Sequence, residues 1–163
     1  TPSRGDPYLF FDVSWLHHRL GGQDTLRSYG LDFSMRRRLS DVHAEALVSV
    51  PKGHHVFLSQ CQLSYDTPNL FFCHAGIRPG VALQAQDEED LLWIRNEFHR
   101  HLAAHPKMIV HGHSPVDQAS HYGNRINLDT GAGYGKPLTS AVFEAGACFV
   151  LTSEGRKEIF PID

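Results

Sequence analysis

The sequence predicts a mixed α+β protein, helices first and then a mixed or antiparallel sheet carrying one long helix. Three observations lead there. Apolar residues recur at helical spacing through the first third, short apolar runs bounded by Gly, Pro and Asn fill the rest, and residues 87–106 form one long amphipathic stretch between them.

The helices come first. In "FFDVSWLHHRLGG", Phe11, Trp15 and Leu16 share a helical face, and Gly21-Gly22 should stop that helix. In "SDVHAEALVSVP", Ser40 or Asp41 offers an N-cap, Val42, Ala46, Leu47 and Val50 form the apolar side, and Pro51 is the break. "PKGHHVFLSQC" reads either as a strand over residues 56–58 or as a short helix with Pro51 in its first turn.

Strands follow. "LSYD" and "NLFFCHAG" flank Thr67-Pro68 as a hairpin-like pair that ends in His74-Ala75-Gly76. "DEEDLLWIRNEFHRHLAAHP" has acids in its first turn, a stripe of Leu91, Leu92, Ile94, Phe98 and Leu102, and Pro106 as its end. "KMIVH", "NRINLD", "LTSAVFE" and "ACFVLT" are four further strands, the last two joined as an antiparallel hairpin across Ala145-Gly146.

A chain of 163 residues with 41% hydrophobic content suits one domain over 1–163. Its formal charge of -3 with mixed signs argues against a nucleic-acid backbone as partner, and the Arg36 to Arg38 cluster is too short to change that. No apolar run reaches the roughly 18 to 20 residues of a membrane span, and the start lacks the order of a signal peptide, so a cytoplasmic location without membrane partners is expected. Cys61, Cys73 and Cys148 are spaced for neither a disulfide framework nor a zinc knuckle and read as buried thiols. Of the 12 histidines, His17, His18, His99, His101, His105 and His121 lie in polar stretches and read as surface residues.

The remaining histidines include those where apolar runs end. His74 closes "LFFCHAG", and His111 and His113 close "MIVHGH", each beside a small residue. Neutral imidazole ligates Zn, Mn or Fe, and Gly or Ala lets backbone, metal and substrate approach. Arg95, within the apolar "LLWIRNEF", either pairs with a nearby acid or presents a planar fork to phosphate. "NRINLDTGAGYG" is a glycine-rich turn whose amides could line an anion pocket. The common nucleotide-loop and serine-hydrolase motifs do not occur.

Together, "LFFCHAGIRPG", "EEDLLWIRNEF", "MIVHGHSPV" and "NRINLDTGA", in this order, resemble the later half of bacterial calcineurin-like metallophosphoesterases of the serine/threonine protein phosphatase type. The likeness extends upstream through "GGQDTLRSYG" and "FLSQCQLSY". It implies half of a four-layer αββα sandwich and a site for two divalent metals (Mn, Fe or Zn), whose bridging hydroxide hydrolyses phosphomonoesters by in-line attack. By position it implies that His74 and His113 are metal ligands and that Arg95 clamps phosphate. His111 stands where some relatives carry a phosphate-binding arginine.

The family's Gly-Asp-x-His-Gly, Gly-Asp-x-x-Asp-Arg-Gly and Gly-Asn-His-Glu motifs do not occur in these 163 residues, and "RGDPYLF" is only an echo of the first. Two imidazoles fall short of the three protein ligands that a catalytic metal normally has, so weak or no metal binding and no catalysis are expected of this chain alone. The resemblance thus implies the C-terminal part of an enzyme, with exposed sheet edges and a homo-oligomer or swapped dimer as a consequence. Expected substrates are phosphoproteins or diadenosine polyphosphates. The alternative is a non-catalytic binding or regulatory module on the same scaffold.

Overall fold

The computed structural model describes residues 15–162. The chain groups into two compact units, Thr1–Cys61 and Gln62–Asp163. Helices α1 (Gly22–Ser28), α2 (Leu39–Ser49) and α3 (Lys52–Gln60) belong to the first, and all eight described strands belong to the second. Among the described residues no helix is long and apolar enough to cross a membrane.

In the first unit the glycine pair opens a helix rather than ending one. Gly21 has φ 71°, and its carbonyl accepts from the Thr25 amide at 2.9 Å, so it turns the chain from a short 3-10 turn into α1. Gly22 has Trp15 against it: a Cβ there would meet the Trp15 carbonyl at 2.3 Å. Phe11, assigned to the same helix from sequence, lies outside the described residues. Leu26, Leu31 and Val42 make a small core, with Ala46 and Val50 packed on it. Leu47, expected on that side, is instead 57% exposed, and neither Ser40 nor Asp41 caps α2, which starts after Arg38. Helix wins over strand for α3, with Pro51 as its N-cap; none of its residues is buried, which leaves Cys61 at its end exposed.

In the second unit, β1 (Ser64–Asp66) pairs antiparallel with β2 (Leu70–Cys73), as the turn at Thr67-Pro68 predicts. β3 (Met108–His111) and β5 (Arg125–Asn127) lie parallel to β2 and to each other. The short β4 (Ser120–His121), missed in the sequence, closes the sheet order β1-β2-β3-β5-β4. A second, antiparallel sheet holds β6 (Ala141–Glu144), β7 (Ala147–Thr152) and β8 (Gly155–Glu158). Its first hairpin turns at Ala145 and Gly146, both at positive φ (51° and 84°). Phe72 meets Phe143 edge to face at 5.5 Å, joining the two sheets. This mixed α+β architecture agrees with the sequence expectation at that level.

The expected long helix is two short ones, α4 (Glu88–Trp93) and α5 (Asn96–His99). Asp87 caps α4 by accepting from the Glu89 amide, and Ile94 still donates to Asp90 at 3.1 Å. In a continuous helix the Leu91 carbonyl would next accept from residue 95. Instead it accepts from the Ala75 amide, just past the end of β2, at 2.8 Å, and Ile94 and Arg95 leave helical geometry. The break lets Leu91, Ile94 and Phe98 all enter one core with Phe71, Ile77 and Ile109, whereas Leu102, expected in the stripe, is 87% exposed.

Phe98 is fully buried and sits directly against Gly76, where an added Cβ would lie 2.3 Å from the ring. The backbone after β2 therefore packs on an aromatic face. Substituting Gly76→Ala should lower stability by about 2 kcal/mol or more through overpacking, read as a fall in the urea midpoint. An unchanged midpoint would contradict this packing.

Candidate functional site

Because β2, β3 and β5 run parallel, the segments that follow them emerge along one edge of the sheet. Residues 74–76, 112–114 and 128–130 meet there, the usual position for a ligand site in parallel sheets. The ladder carries on past the strands: the Gly112 amide donates to His74 at 2.8 Å and the Leu128 amide to His111 at 2.9 Å. His74 and His113, 39 positions apart, come into contact, with His74 Nε2 3.0 Å from His113 Nδ1. Trp93 presents edge to face on the His113 ring at 5.5 Å, and Arg95 Nη1 reaches Ser114 Oγ at 3.5 Å. His74, His113 and Arg95, three of the residues singled out in the sequence, thus lie at the same strand ends.

Two features shape this corner. His113 has positive φ, 64°, at the centre of a tight three-residue turn in which the Ser114 amide donates to the Gly112 carbonyl at 2.7 Å. Such geometry in a non-glycine residue costs on the order of 1 kcal/mol and is concentrated at ligand sites. Gly112 admits Asp129, whose Cβ would lie 3.1 Å from any Cβ placed there. The Asp129 carboxylate accepts from the Gly131 amide at 2.8 Å. Buried Asn127 donates to the Ser114 carbonyl at 2.8 Å and accepts from the Asp129 amide at 2.9 Å, tying the β3 and β5 exits together. Sequence reasoning passed over both residues, although "NLD" at a strand end offers a visible polar signal.

Burial holds the His74 imidazole below the ordinary range, opposed by the Asp129 charge and assisted by Arg95. Cys73, next in the chain, has its thiol pushed up to about 12 by burial, so it lines the site as an apolar group and not as a thiolate. His74, His113 and Asp129 border a cavity of about 390 Å3 whose lining also includes Phe72, Val110, Leu128, Leu138, Thr130 and Thr139.

His111 does not join the other three. Although the residue borders the cavity, its ring packs edge to face on Phe98 at 4.9 Å and beside His99 at 5.7 Å, on the helix side of the sheet. It is 4% exposed, and its Nε2 has no hydrogen bond among the described residues. Burial pushes its pKa down to about 3, which removes the positive charge that phosphate would need. His99 and His105, expected in polar surroundings, are half-buried against Phe98, and His101 stacks on His105 at 4.9 Å.

The donor chemistry at His74 and His113 suits a borderline divalent metal. As it stands, His74 Nε2 and His113 Nδ1 share a hydrogen bond at 3.0 Å, which a metal would have to replace. The number of ligands falls short: no group of three His, Cys, Asp or Glu that could hold a metal occurs among the described residues. The described residues therefore offer at most two imidazoles to a metal and not a closed site. No family model matches the chain, and no curated protein matches it.

The buried histidines make a pH prediction. His111 has a folded pKa below its unfolded value, and burial shifts His99 and His105 the same way, so the unfolded chain binds more protons as pH falls. The stabilisation they give is complete above about pH 6.5 and is lost as pH drops toward 3. From His111 alone, unfolding free energy should fall by roughly 2 kcal/mol between pH 7 and pH 5, and His111→Gln should remove that share of the slope. Urea titrations at both pH values check it; the same slope in wild type and His111→Gln would contradict it.

Proposed function

We propose that this chain carries part of a metallophosphoesterase centre that acts on phosphomonoesters, with the phosphoryl group bound at the exits of β2, β3 and β5. The observation that carries the reading is the meeting of His74, His113 and Arg95 at one strand edge from three separate stretches of sequence. Arg95 supplies a planar guanidinium that can hold two phosphate oxygens at once. Trp93 and Asn127 hold the His113 and Ser114 segment in place beside it.

In this reading, His74 and His113 hold a divalent metal, and at least one further ligand comes from polypeptide beyond the described residues or from another chain. When bound, such a metal acidifies water and neutralises charge on a transferring phosphoryl group. The four sequence motifs that resemble serine/threonine protein phosphatases favour phosphoproteins as substrates, with dinucleotide polyphosphates second. The shortage of ligands among the described residues favours a second reading, a phosphate-binding module without turnover.

Titration with Mn2+ followed by histidine NMR should broaden the His74 and His113 ring signals together and leave His111 sharp at low metal ratios. His74→Ala should weaken that binding by about tenfold or more, because one imidazole alone remains. Inorganic phosphate should shift the same region, and Arg95→Ala should reduce its affinity several-fold. Phosphate binding indifferent to Arg95→Ala, with metal bound elsewhere, would overturn the reading.

A further inference from the structure

The cavity beside the histidines is divided by chemistry. Strand alternation puts Phe71 and Ile109 into the helix-side core, so Phe72, Val110 and Leu128 face the opposite way and form its walls. Ala132 and Leu138, from the glycine-rich loop and the chain after it, add to those walls. Polar groups collect at the lip, where His74, His113 and Asp129 stand, with Arg95 near enough for its charge to act on His74.

A ligand matched to this shape has an anionic head at the lip and a flat apolar body below it. We propose that the site takes aryl phosphates, with the phosphate beside Arg95, His74 and His113 and the aromatic ring in the cavity walled by Phe72, Val110, Leu128 and Leu138. The inference rests on the phosphoester reading above and adds the class of leaving group. A volume of about 390 Å3 falls in the range of small-molecule sites and accepts a substituted phenyl ring. Phe72 offers that ring an edge or an offset face. The short polar side chain of phosphoserine would leave the apolar walls unfilled, so the cavity favours phosphate carried on a tyrosine-like ring.

Four probes added to the full chain test this: phenol, inorganic phosphate, phenyl phosphate and O-phosphoserine, each followed by NMR of the Val110, Leu128 and Leu138 methyls and of the histidine rings. The proposal expects phenol to shift the methyls, and phenyl phosphate to bind about tenfold or more tighter than O-phosphoserine. Leu138 is 79% exposed, so Leu138→Asn should fold normally. It should weaken phenyl phosphate about fivefold while leaving inorganic phosphate within about twofold. Equal affinity for the two esters, with methyls unmoved by phenol, overturns the aryl inference while phosphate shifts at His74 and His113 leave the phosphoester reading standing. If phenol moves the methyls and no phosphate compound moves the histidines, the phosphoester reading fails and the aryl substrate falls with it.

Discussion

One backbone hydrogen bond organises the second unit: the Ala75 amide donates to the Leu91 carbonyl. It satisfies an amide that β2 can no longer pair, and it takes from α4 the carbonyl that the next helical turn would need. Beside this bond the helix breaks at Ile94 and Arg95, and the break has two consequences. Phe98 turns into the core against Gly76, and Arg95 is carried to the strand exits where His74 and His113 emerge. Core packing and the placement of Arg95 at this corner therefore share a cause.

The sheet then divides two neighbouring histidines into different environments. His111 is the last residue of β3 and faces the helices, where burial keeps it neutral and its ring serves as packing for Phe98. Two residues later, the positive φ of His113 brings its ring onto His74 and into contact with Trp93. Gly112 makes the change possible, because a side chain there would crowd Asp129. One face of the sheet is thus packed into the helix-side core, while the strand exits gather His74, His113 and Asp129.

Much of this was legible in the residues. Apolar runs stopped by Gly, Pro and Asn located β1, β2, β3, β5, β6 and β7, and Ala145-Gly146 located a hairpin. Small residues beside histidines at strand ends located His74 and His113. The helix break was not legible, because Leu91, Leu92, Ile94, Phe98 and Leu102 fit a continuous helical stripe and the bond that interrupts it comes from a residue far away in sequence. β4 and β8 were missed for a different reason: they are short or polar, and pairing with a neighbour makes them strands where composition does not. His99 and His105 looked like surface residues because their sequence neighbours are polar, yet Phe98 draws both rings inward. Asp129 escaped notice because its importance lies in its position across from Gly112, which only the register of β3 and β5 reveals.

The most direct measurement is the scalar coupling transmitted across backbone hydrogen bonds, recorded by NMR on isotope-labelled chain. A cross-peak from the Ala75 amide nitrogen to the Leu91 carbonyl carbon is expected. A cross-peak from the Arg95 amide to the Leu91 carbonyl, with none from Ala75, would mean a continuous helix. That result would contradict both the core packing of Phe98 and the placement of Arg95 beside the two histidines.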